Sequence, residues 1–193
     1  MNEKVKKIAE QIDEVTAEAR AKFGALNREQ LNWRPPDGGW SVGQCLEHLI
    51  KTSEIYSEDF RSIADGTRAT SFWENWSPLS SFFGRFLTSY MDKDEKKVKT
   101  TERFVPPSEI EENIVDRFEA SQQELISLID STSNADWDRT KLTSSFQGFV
   151  TYSLADAYRI IAAHQRRHIR QADRVTMLNE FPRGREAKQA VNA

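Results

Sequence analysis

Apolar residues recur at helical spacing in four stretches of the chain, and polar, Pro- or Gly-rich segments separate them. Val5, Ile8, Ile12, Val15 and Ala19 step by three and four residues, which predicts one amphipathic helix ending near Phe23. The following "LNREQLNWRPPDGG" breaks that period with Pro35, Pro36, Gly38 and Gly39. Ser41 with Gln44 then forms a capping box, in which the serine oxygen accepts a helix N–H and the glutamine reaches back. It predicts a second helix from about Val42 to Ile63. Ser108 with Glu111, after Pro106 and Pro107, predicts a third that carries Ile110, Ile114, Phe118, Leu125 and Leu128. Ser153 with Asp156 opens a fourth that runs to about Leu178.

The connections between these helices set the expected architecture. "STSNADWDRTKLTSSFQGFVTY" reads as a loop between the third and fourth helices. Residues 64–107 form an unusually long link between the second and third. It is rich in Trp and Phe, which argues against disorder. A long link can carry the chain back along a bundle so that successive helices run parallel. The expectation is an all-α fold, a four-helix bundle with one long crossover between helices 2 and 3. It occupies a single domain over residues 1–182, and residues 183–193 form a polar, frayed tail. The openings "WSVGQCLEHL" and "YSLADAYRII" echo one another weakly, which suggests similar helix entries and not a repeat protein.

Composition narrows the class of function. A formal net charge of −3 argues against nucleic acid or anionic lipid as the main partner. Apolar runs are only a few residues long, so no membrane span is expected, and the amino-terminal segment lacks the apolar core of a signal peptide. A single cysteine, Cys45, permits no internal disulfide and no zinc-finger spacing. Cytoplasmic localisation is the corresponding expectation.

The candidate chemistry lies in the three histidines, His48, His164 and His168. On a helical wheel His164 and His168 fall among Leu154, Ala157, Ile161, Ala172 and Val175, whereas Arg159, Arg166, Arg170 and Asp173 face the other way. At i and i+4 the two imidazoles stack on one face, with Cβ atoms about 6 Å apart, close enough to hold one ion between them. His48 sits on the shoulder of the stripe made by Val42, Cys45, Leu46, Leu49, Ser53, Tyr56 and Phe60, while Glu47, Lys51, Glu54 and Glu58 are expected to face water. Two readings remain from the residues alone. Inward histidines are commonly hydrogen-bonded core residues; a shared cation would satisfy both rings of the buried pair, which need polar partners.

Other residues carry less. Gln171 is placed to hydrogen-bond a ligand or substrate, or simply to line a mouth. Cys45 reads as a small core residue and not as a further ligand or redox centre. Trp73, Trp76, Phe82, Phe83 and Phe86 read mainly as a lid over the core, with roofing of a pocket as the functional alternative. Arg166, Arg167, Arg170 and Arg174 read as a solvated basic stripe.

"GGWSVGQCLEHL" together with "AAHQRRHIRQADRV" resembles the DinB-like family of metalloenzymes, which includes bacillithiol and other thiol transferases. The likeness rests on Trp40-Ser41 ahead of His48-Leu49, on the His164-x3-His168 pair followed by Gln171, and on the "LNREQLNWRPPDGG" loop, and it extends over roughly residues 5 to 182. It implies an up-down-down-up bundle with one divalent metal, zinc or nickel foremost, held by His48, His164 and His168. Three neutral imidazoles leave positions for water or substrate, and such an ion acidifies a bound water or thiol. The resemblance implies transfer of a low-molecular-weight thiol such as bacillithiol to a small-molecule electrophile. A metal-dependent hydrolase and a non-catalytic metal or small-ligand binding bundle are the competing expectations. A homodimer is implied as one assembly, with monomer left open.

Overall fold

The computed structural model describes residues 3–69, 74, 102–145 and 150–183. Helix α1 spans Glu3–Phe23, and every residue of its predicted stripe is buried. A short helix α2, Arg28–Asn32, follows; α3 covers Val42–Ala64, α4 Ile114–Ser131 and α5 Leu154–Thr176. A 3-10 turn, Glu102–Phe104, precedes α4, and strands β1 (Lys141–Thr143) and β2 (Thr151–Ser153) lie between α4 and α5. Among the described residues the protein is therefore mostly helical with one small sheet. Both α1 and α3 pack against α4 and α5. Among the described residues no helix is long and apolar enough to cross a membrane. The aromatic residues Trp73, Trp76, Phe82, Phe83 and Phe86 and most of the tail lie outside the described residues.

Local chemistry explains where the sequence reading holds and where it fails. The Ser41–Gln44 capping box forms with both reciprocal bonds, and the Gln44 amide also donates to the Pro107 carbonyl at 2.9 Å. Ser153 caps α5 by accepting from the Asp156 N–H, but its hydroxyl in turn donates to the Asp156 carboxylate at 2.8 Å. The box expected at Ser108 and Glu111 does not form, and α4 begins only at Ile114. The cause is Asn32, whose side-chain oxygen accepts the Ile110 N–H at 2.7 Å and whose amide donates to the Ile110 carbonyl at 2.9 Å. These two bonds tie the Ile110 main chain to α2, ahead of the first turn of α4.

Helix α2 falls in the segment that reads as a break; an Asn27–Gln30 capping box starts it. The loop expected between α4 and α5 instead contains the antiparallel pair β1–β2, with Leu142 opposite Tyr152. Those two side chains are buried, so the pairing closes one end of the core.

Two hydrophobic clusters fill the interior. One gathers Ile12, Tyr56, Phe60, Leu125, Tyr158 and Ile161. The other gathers Phe23, Leu46, Leu49, Phe118, Ile169 and Val175. Between Ile161 and Ile169, α5 carries His164, Gln165 and His168, all buried. The Gln165 amide donates to the Gln122 side-chain oxygen of α4 at 2.7 Å, so polar groups occupy the junction of the two clusters. Glu47, expected in water, is instead 8% exposed, because Arg117 on α4 reaches it at 2.9 Å.

Candidate metal centre

The three histidines converge from two helices remote in sequence. Ring centroids of His48 and His164 are 5.0 Å apart, those of His48 and His168 4.6 Å, and those of His164 and His168 4.5 Å. One ring nitrogen from each falls within 4.8 Å of the others. Exposure is 3%, 7% and 9% for His48, His164 and His168, so the cluster is screened from bulk water with His168 nearest the surface.

Main-chain geometry orients His48. Its Nδ1 lies 2.8 Å from the Phe104 carbonyl oxygen, which can only accept, so Nδ1 carries the proton. Nε2 is left with its lone pair pointing into the cluster, 3.2 Å from His164 Nε2. One turn along α3, Lys51 donates to the next carbonyl, Val105, at 3.0 Å, and this second bond holds the same segment in place. A hydrogen bond from the second ring nitrogen to a carbonyl is the usual way a protein fixes the tautomer of a ligating histidine.

Trp40 forms one wall. Its ring centroid is 4.8 Å from that of His48 and 5.7 Å from that of His168, nearly parallel to the latter. The preceding turn sets this position: Gly38 has a positive φ of 77°, its N–H bonds the Pro35 carbonyl, and Arg34 donates to the Gly38 and Gly39 carbonyls. Gly43 permits the close approach of α2 to α3, since a Cβ there would lie 2.9 Å from the Leu31 carbonyl oxygen and 3.0 Å from Ile110.

Electrostatics favours neutral rings. Burial holds His48 below the ordinary histidine pKa, against the opposing hydrogen bond to Phe104 and with the nearby charge of Lys51. His164 and His168 are held well below it, first by burial and then by their histidine neighbours and Arg167; Gln171, beside His168, acts the other way. Neutral imidazole is the form that binds metal.

A test of fit comes from the polar groups themselves. His168 Nδ1 is buried without a hydrogen-bond partner, a costly state for a ring nitrogen. No fourth His, Cys, Asp or Glu joins the cluster among the described residues. Three neutral nitrogen donors with one unsatisfied atom suit a divalent transition ion such as zinc or nickel.

The cluster borders a cleft of about 870 Å³ that His168, Trp40 and Gln171 help to line. Both readings of Gln171, a ligand contact or a mouth residue, place it beside such a cleft. Cys45 is buried in the apolar cluster and outside the histidine group, and burial pushes its thiol up to about 12. Of the arginine stripe, Arg174 is exposed and Arg166, Arg167 and Arg170 are half-buried; Arg167 and Arg174 also line the cleft. The Phe104 carbonyl was not legible in the sequence, since any residue offers one. The packing of Trp40 on the rings has no signature in the sequence beyond its place before the Ser41 cap.

No curated protein and no solved structure matches the chain. The family match covers residues 11–172, a span that holds all three histidines, the cap that starts α3 and most of α5. The chain belongs to the DinB superfamily.

Proposed function

We propose that this chain is a metal-dependent enzyme of the thiol S-transferase type, with His48, His164 and His168 holding one divalent ion. The observation that carries the proposal is the convergence of three neutral, buried ring nitrogens beside a cleft large enough for a small molecule. Among the described residues three ligands stand without a fourth, the pattern of reactive zinc sites, whereas structural sites are closed by four. When bound, the ion supplies Lewis acidity that lowers the pKa of a thiol or water beside it. The chain's own residues do the rest. Phe104 fixes the tautomer of His48, Trp40 packs on two of the rings, and burial of the cluster limits water.

The long helices are arranged in this reading as an up-down-down-up four-helix bundle. Ion pairs support it: Glu47 and Arg61 of α3 meet Arg117 and Glu124 of α4, positions that advance together as parallel neighbours do. Arg20 of α1 meets Asp116 and Glu119 near the start of α4, as antiparallel neighbours do.

The test is turnover of a chromogenic electrophile by zinc- and nickel-loaded protein with bacillithiol, glutathione or mycothiol supplied in turn. The proposal expects electrophile consumption that needs both metal and thiol and is lost in His164→Ala. Metal-dependent turnover without thiol would make the protein a hydrolase. Tight metal uptake with no turnover on any thiol would make it a binding module.

A further inference from the structure

The residues that line the cleft beside the histidines are of two kinds. One is apolar and includes Pro36, Trp40, Val105 and Leu178, of which Val105 is 44% and Leu178 36% exposed. The other is a polar stripe along α5 made by Arg167, Gln171 and Arg174. These residues stand at i, i+4 and i+7, so they share one helix face over two turns, about 10 Å of rise. Arg167 immediately precedes His168, which ties the stripe to the metal centre.

Two acidic residues also line the cleft, Asp37 and Glu180. Asp37 accepts the Gly39 N–H at 3.0 Å and belongs to the turn that carries Trp40; Glu180 lies beyond the end of α5. Neither lies on α5 itself. Arg167 and Arg174 both interact with other groups of the protein as well. A guanidinium has five donors in a fork, so such contacts are compatible with holding an anion.

We propose that the cleft binds a small organic acid, with Arg167 and Arg174 holding the carboxylate and Trp40 and Leu178 covering an apolar body. This rests on reading the cleft as the substrate side of the histidine centre, and it names the substrate class. Arginine recognises carboxylates through paired N–H···O bonds, and the apolar part of the lining selects against small inorganic anions, which have no apolar surface to bury.

The test uses the full-length protein in EDTA, so that no metal contributes. Three probes of one shape are titrated by quenching of tryptophan fluorescence: 2-naphthoate, 2-naphthamide and 2-naphthylmethylammonium. The expected result is binding of the carboxylate at least tenfold tighter than either of the others. The preference should fall in Arg167→Gln and in Arg174→Gln, vanish in the double variant, and be partly kept by Arg167→Lys, with circular dichroism checking each fold. Equal binding of acid and amide, a preference for the ammonium, or no binding at millimolar probe would overturn the proposal in the wild-type protein alone. A preference that survives the double variant would overturn it too. A chain that prefers the acid yet takes up no zinc would sink the metal reading and leave this one standing; a chain that loads zinc without the preference would do the reverse.

Discussion

His48 Nε2 and His164 Nε2 lie 3.2 Å apart although 116 residues separate them. Two nitrogens each about 2.0–2.1 Å from one tetrahedral ion stand about 3.3 Å apart, so this pair already has the spacing of shared ligation. The pairing is a product of tertiary packing, since one ring comes from α3 and the other from α5. The consequences reach the residues that hold the two helices and rings in place.

Trp40 packs on His48 and His168. Trp40→Leu is expected to weaken zinc affinity about tenfold while leaving the helix content intact, in line with the cost of losing groups that support metal ligands. Competition against a chromophoric chelator measures it, and Trp40→Phe should recover part of the loss. Unchanged affinity in the leucine variant would show that the indole only covers the core.

Gly43 is expected to resist substitution even though alanine is the better helix former. In an open helix the change to alanine stabilises by about 1 kcal/mol. Here the added Cβ meets the Leu31 carbonyl oxygen at 2.9 Å, main chain that cannot swing aside as a flexible side chain would. Gly43→Ala should therefore lose about 1–3 kcal/mol in urea unfolding, the usual range for overpacking. A stabilised variant would mean that α2 yields without cost.

Alkaline stability should report on Cys45 and Tyr152. Burial raises the Cys45 thiol from 9.0 to about 12 and the Tyr152 phenol from 10.0 to about 12. Above the ordinary values the unfolded chain has released protons that the folded chain keeps, so stability falls as pH rises. These groups make no such contribution below pH 9. Each is worth on the order of 1 kcal/mol per pH unit between its two values. Chemical unfolding across pH 8 to 11 should show the decline, and Cys45→Ala should flatten its first part, between 9 and 10. An identical slope in the variant would place the thiol in contact with water.

The four long helices were legible because amphipathic spacing is a local signal, and the Ser41–Gln44 and Ser153 caps marked where α3 and α5 start. The inward direction of His164 and His168 followed from the same periodicity. The late start of α4 was not legible, because a side chain 78 residues away, Asn32, takes both main-chain groups of Ile110. Nor was the burial of Glu47, which needs Arg117 from a neighbouring helix. The strands β1 and β2 are three residues each, too short for alternation to be told from loop. In the site, side-chain identities could be read, whereas the Phe104 carbonyl that orients His48 could not. Main-chain acceptors have no sequence signature.

Metal content decides the central claim most directly. Elemental analysis of natively purified protein, followed by zinc titration of the EDTA-stripped chain, should give one divalent ion per chain. His48→Ala, His164→Ala and His168→Ala should each lose uptake while keeping the wild-type helical spectrum. Less than a tenth of an ion per chain under zinc-replete conditions, or full uptake in the His164→Ala variant, would contradict a shared three-histidine centre.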